Sequence, residues 1–355
     1  MFEKGRLNPR ETAKYVVDHS DGEIKISKNG VESVAKLIVE AVRSGEVHHA
    51  DFEAQELHPQ GADQAAIDWY FIDLFNERFG GVFLMDTINF SFWTEEGTKF
   101  VVTYKDKPYT GYFAGCACVN RAIDNGIPLT SAHYMQNITL KDVQKIFSSD
   151  HGVVIPMAEE RTKVIAEAGR ILNEKFDGSF YRCVERCGKS AVKLLNTIVE
   201  NFESYRDFCE YKGKKGSFLK RAQILVADVY GCLRNKNEIG SFYDIGELTM
   251  FADYRVPQAL GYLGALHYSP KLMKSLRLSP LLTNGSNLEI ELRAFSIKAC
   301  DDIVDAAKRL RTEADAHLRT ITAVDVDVFL WTYRRDHAAE IEKNVPYHRV
   351  RCIYY

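Results

Sequence analysis

Apolar residues recur every three or four positions along most of this chain, and that spacing predicts helices. Val34, Leu37, Ile38 and Val42 form one stripe in VESVAKLIVEAVRSG, which Gly45 closes. Ile165, Ala168, Leu172 and Phe176 form a second in EERTKVIAEAGRILNEKF. Phe218, Ala222, Leu225 and Val229 form a third in SFLKRAQILVADVYGCL. Asn8 followed by Pro9 marks the start of an earlier helix, with the asparagine as cap. ADQAAIDWYFIDLFNERFG, residues 62–80, predicts another helix, rich enough in aromatics to be buried on more than one face.

The spacing changes between residues 88 and 113. INFSFW (88–93) and KFVVTY (99–104) are β-branched and aromatic, and Lys105-Asp106-Lys107-Pro108 marks a turn before YTGYF. These runs predict a small antiparallel β patch. Helical spacing returns from residue 114. The expected fold is therefore mainly α with a small antiparallel β patch. It forms a single unit over residues 1–355, with a weak subdivision near 155.

With 355 residues, 46% hydrophobic and 27% charged, the chain can bury a large core. A formal net charge of −3 gives no general pull toward nucleic acid or anionic membrane. No run is long enough to cross a bilayer and the first twenty residues lack an apolar signal core, so a soluble protein is expected. The eight cysteines lack zinc-knuckle spacing, Cys116-Ala-Cys118 and Cys183…Cys187 included. They read as reduced core thiols in a cytoplasmic or nuclear protein, with no cofactor. The GxSxG elbow, P-loop, HExxH motif and Rossmann glycine fingerprint are all missing, so the common hydrolase and nucleotide-binding signatures give no lead.

Four strings carry candidate chemistry. In TMFADYRVPQ, Asp253 sits between Phe251 and Tyr254, with Arg255 and Pro257 beyond. DIGELTMFA upstream reads as a short helix, and Pro257 opens the next. Asp253 is then either that helix's cap or an ionised carboxylate, favoured by the helix end and Arg255 and shielded by rings. Lys220 lies off the apolar stripe of its helix and reads as solvated unless a site is near. Asn89, Phe90 and Trp93 in INFSFW suit a planar ligand or plain core. Asp325 and Asp327 in VDVDVFLWTY suggest a weak metal pair or a carboxylate for a ligand amine.

Together SFLKRAQILVAD, TMFADYRVPQ, INFSFW and VRCIYY resemble the queuosine salvage proteins, which are queuosine 5'-phosphate N-glycosylases. The resemblance implies release of queuine and ribose 5-phosphate from queuosine 5'-monophosphate, so that the base can return to tRNA. It also implies a fold similar to the helix-hairpin-helix DNA glycosylases, although a glycine-rich DNA-gripping hairpin is lacking here. By matching strings the catalytic aspartate falls on Asp253 and the active-site lysine on Lys220. Phe251, Tyr254 and Arg255 fall around the substrate, and Asp327 with Val328 at the base. Thr332 stands where relatives commonly carry an acid. The expected partner is a small nucleotide, with no direct nucleic acid and no membrane. The alternatives are a DNA or RNA base-excision glycosylase and a non-catalytic queuine-binding protein.

Overall fold

A computed structural model describes residues 5–45, 82–95, 97–233, 238–278 and 280–355. The helix expected at 62–80 lies outside the described residues. Helices dominate the rest, with strands only as isolated pairs. No helix among the described residues is long and apolar enough to cross a membrane.

The local signals explain most boundaries. Asn8 and Glu11 close a capping box at the start of Pro9–His19. Ser27 caps Lys28–Ser44, which begins three residues before the expected string at Val31, and Gly45 ends it in the left-handed conformation at φ 77°. Val34, Ile38 and Val42 are buried, but Leu37, expected on the same stripe, is 40% exposed. Gly30 lets this helix touch the 264–265 turn, since a Cβ there would lie 1.9 Å from the Gly264 carbonyl oxygen. The Ala158–Lys175 and Lys220–Leu233 helices bury their expected stripes.

The hairpin Val101–Tyr104 with Lys107–Thr110 is antiparallel, and Lys105 and Asp106 turn at positive φ. Three further two-stranded pairs lie elsewhere, one of them the parallel pair Leu281–Leu282 with Arg349–Val350. Residues 88–93, expected as a strand, form no ladder. Their carbonyls are taken by cations from distant helices instead. Arg161 donates to the carbonyls of Ile88 and Phe90, Arg221 to that of Thr87, and Lys220 to that of Asn89 at 3.0 Å. Ser91 N–H donates to the Tyr355 carbonyl at 3.0 Å, which ties this loop to the 349–355 segment.

The expected helix over DIGELTMFA is only a single tight turn, Ile245–Glu247. The following residues run between two apolar clusters. Met250 and Ala252 belong to one, Phe251 to the other. A helix would turn consecutive side chains through about 100° and could not divide neighbours between opposite cores in this way. The cluster with Phe251 takes in Phe147, Ile155, Val164 and Leu225, and that with Met250 and Ala252 takes in Val34, Ile38 and Ile297. All eight cysteines are free thiols, and all but Cys209 are buried.

Candidate active site

Beside the cluster that holds Phe251 lies a cavity of about 680 Å³. The string after Ala252 forms one wall. Asp253 Oδ1 accepts the backbone N–H of Arg255 at 2.7 Å and of Val256 at 2.9 Å, at the amino end of Val256–Tyr262. The two readings of Asp253 are therefore not exclusive: it closes the turn with one oxygen and lines the cavity with the rest of the group. Oδ2 takes no hydrogen bond among the described residues.

The Arg255 side chain does not serve Asp253 as the sequence suggested. Its guanidinium meets Gln258 at 3.1 Å and Glu342 at 3.3 Å, and lies 4.0 Å from the Tyr347 ring centroid. The cation that acts on Asp253 is Lys220, whose charged form Asp253 favours more than any other residue does. Lys220 is also not the solvated residue its position implied. It is buried, with Nζ donating to the Asn89 carbonyl and to Asn89 Oδ1 at 3.1 Å. Burial lowers its pKa, while Asp253, Asp86 and Asp327 pull it back up.

Asp327 comes from the helix Ala323–Asp336 and accepts the Phe251 N–H at 2.9 Å. Burial holds its pKa well above the usual carboxylate range, and repulsion from Asp253 adds to this. A ligand cation beside it would offset both effects. Asp325, the other member of the suggested metal pair, turns away from the cavity. It closes a capping box with Thr322 and pairs with Arg319 at 2.6 Å. On a helix, residues two apart differ by about 200° and cannot share a ligand easily. No group of three His, Cys, Asp or Glu among the described residues is arranged to hold a metal ion.

The cavity also brings in Asn89, Phe90, Trp93, Tyr254, Val328 and Thr332, so every candidate site residue except Asp325 reaches one space. Phe90 lies under the guanidinium of Arg161, 4.4 Å from its centroid, and Trp93 under that of Arg351 at 3.3 Å. Tyr254 packs with Trp93 and Tyr355 in a small third cluster.

Sequence reading missed Asp228, Tyr355 and a basic rim of Lys99, Arg334 and Arg335, all of which line the cavity. Lys220, Ile224, Ala227, Asp228 and Gly231 form one face of their helix. An acid eight positions after a lysine, on a face distinct from the apolar stripe, was the available signal for Asp228.

The profile of the queuosine salvage protein family matches residues 57–355. This chain belongs to the queuosine salvage family. Among its salvage-family relatives, a Mus musculus protein named queuosine 5'-phosphate N-glycosylase/hydrolase is 46% identical over 98% of this chain and 99% of its own length. A Bos taurus protein of the same name is 44% identical over 99% of each. A bacterial relative of that name, from Sphaerobacter thermophilus, is 38% identical over 77% of this chain and 80% of its own.

Proposed function

We propose that this chain hydrolyses the N-glycosidic bond of queuosine 5'-phosphate, releasing queuine and ribose 5-phosphate. The observation that carries the reading is Asp253 Oδ2, free of hydrogen bonds among the described residues, in a cavity wall that also holds Lys220, Phe251 and Asp327. Cleaving the C1'–N bond builds positive charge on the sugar carbon. A carboxylate beside C1' stabilises that charge or activates the water that quenches it. Because Oδ1 is pinned by two N–H groups, the carboxylate needs no reorganisation to do so.

Queuine is a 7-deazaguanine, so the ring atom whose protonation helps ordinary purines leave is a carbon. Stabilisation of the sugar cation and grip on the base must carry more of the barrier. Phe251 supplies a ring face for the heterocycle. Asp327, costly to ionise alone, matches the protonated amine on the queuine side chain. Val328 and Thr332 complete the wall of the base pocket, Thr332 with a hydroxyl. Asn89, Phe90, Trp93 and Tyr254 line the remaining wall and fix the shape of the pocket.

The 5'-phosphate is assigned to the rim where Arg255 and Arg334 both contact Glu342, at 3.3 and 2.5 Å. Two guanidiniums on one carboxylate leave a net positive charge at the cavity edge. The whole chain acts here as one unit, since the helix Ala323–Asp336 lines the cavity with Val324 and Asp327 and packs into the other apolar cluster with Val326 and Leu330. Kinship of this helical frame with the helix-hairpin-helix DNA glycosylases forms part of the same proposal.

Incubation of the purified protein with queuosine 5'-phosphate, followed by chromatography, should yield free queuine and ribose 5-phosphate in equal amounts. Tight binding of queuine without turnover would defeat the hydrolytic reading. Replacing Arg334 by Gln should erase the preference for nucleotide over nucleoside; an undiminished preference would move the phosphate elsewhere.

A further inference from the structure

The mechanism above leaves unused the buried Asp86 and the half-buried Asp228 of the cavity wall. Asp86, at 0% exposure in Val82–Thr87, accepts the Asn89 side-chain amide through Oδ1 at 3.1 Å. Asn89 in turn holds Lys220, through its carbonyl at 3.0 Å and its Oδ1 at 3.1 Å. Lysine only donates, so Asn89 must present Oδ1 to Lys220 and its NH2 to Asp86. Asp86 Oδ2, also buried, receives no N–H or alcohol donor among the described residues. The helix Val82–Thr87 packs against Lys220–Leu233, and across that contact the carboxyl of Asp86 interacts with that of Asp228.

Two carboxylates in contact inside a protein repel strongly unless one carries a proton, which converts the repulsion into a hydrogen bond. Burial raises the pKa of both, and Asp86 adds to the effect at Asp228. Lys220 and Arg221 on the same helix oppose the shift without cancelling it. The other titratable groups near the pair are Tyr112 and Cys116 from Gly111–Asp124, Tyr205, and Asp327.

We propose that Asp86 and Asp228 share a proton and, through Asn89, act as positioning residues that hold Lys220 in the cavity wall. The chain of contacts runs from Asp228 to Asp86, Asn89 and Lys220. It closes a loop, because Lys220 and Asp228 project from one face of the same helix. With Asn89 taking two donors of its ammonium, Lys220 keeps a donor for the substrate or for Asp253. The catalytic consequence rests on the hydrolytic reading above, whereas the shared proton does not.

Two measurements test it separately. Infrared spectra of the ligand-free protein at neutral pH should show a protonated-carboxyl C=O band that Asp228→Asn removes. Absence of that band from the wild type overturns the proposal. In turnover of queuosine 5'-phosphate, Asp86→Asn preserves both hydrogen bonds of a protonated Asp86 and should stay within about fivefold of wild-type kcat. Asp86→Leu should lose about a hundredfold in kcat with a smaller change in KM. Adding Asp86→Leu to Lys220→Ala should cost little more than Lys220→Ala alone. Fully additive losses, or an Asn variant as weak as the Leu variant, overturn the positioning role. Should the Leu variant not fold, the infrared band and the Asn variant still decide. Failure of the wild type to turn over queuosine 5'-phosphate defeats the proposed activity and leaves the infrared result standing.

Discussion

Asp253 accepts two backbone N–H groups through one oxygen, and an asparagine can accept the same pair. Its chemical and structural contributions can therefore be separated. Asp253→Asn should melt close to the wild type while losing about a hundred- to a thousandfold in kcat, the scale of one preorganised electrostatic contact. Asp253→Ala should lose the activity and, in addition, about 1 kcal/mol of stability with the cap. Melting curves read beside turnover check both, and near-normal turnover by the Asn variant would remove Asp253 from the chemistry. Asp327 behaves differently, because its charge is the part matched to the ligand. Asp327→Asn keeps an acceptor for the Phe251 N–H. It should raise KM about tenfold, the effect of roughly 1.4 kcal/mol, and blur discrimination between queuosine and 7-deazaguanosine 5'-phosphates. Steady-state kinetics with the two nucleotides would show it. At this scale the sequence was most informative about residue type and least about partners. An aspartate among aromatics marked a site, but its cation proved to be Lys220, 33 positions upstream, rather than its neighbour Arg255.

Among elements, the helices follow from periodicity and caps because their hydrogen bonds are local. The loop 87–93 does not. INFSFW has strand-like residues, yet its backbone acceptors are met by Arg161 and Lys220, and that of the preceding Thr87 by Arg221, from two helices far along the chain. Arg161 is fully buried and its pKa is pushed down to about 9, chiefly by burial, so it is retained at a cost. Arg161→Met leaves the carbonyls of Pro156 and Phe90 without their donor, while that of Ile88 keeps the Phe90 N–H. At about 1–3 kcal/mol for each buried orphan, the loss should exceed about 2 kcal/mol. Denaturant unfolding measures it, and a loss below 1 kcal/mol would mean that the loop is held by other contacts. The same logic explains TMFADYR. Its apolar pattern is compatible with a helix, but the chain there threads between two cores and must divide adjacent side chains between them.

At the scale of the whole molecule, the two clusters are joined by buried polar links around the cavity. Arg293 pairs with Asp207 at 2.5 Å and with Glu289 at 3.3 Å, and Asp207 also accepts the Lys220 N–H. The guanidinium of Arg293 covers the Tyr355 ring at 4.2 Å, so the 349–355 segment is fixed by the same group. The folding equilibrium should record the carboxyl pair as well. Asp86 is pushed up to about 7 by burial, from an ordinary value of 3.8. Between those values the folded protein holds a proton that the unfolded chain has released. This contribution to stability is complete below about pH 4, declines as the pH rises, and levels off above about pH 7. Asp86→Asn should flatten that slope, so its melting temperature relative to the wild type should be higher at pH 8 than at pH 5. Equal offsets at both pH values would show that the pair does not bind the proton.

The sequence alone determined the helical build, the cap at Asn8, the helix start at Pro257, the hairpin turn at Lys105-Asp106 and the residue types of the site. Periodicity, capping and turn conformations are local properties, and long unusual strings carry family membership. Tertiary structure decided which charges face one another. It buried Lys220, sent Arg255 to Glu342, separated Asp325 from Asp327 and joined Asp86 to Asp228, because desolvation and Coulomb energy depend on neighbours that only the folded chain supplies.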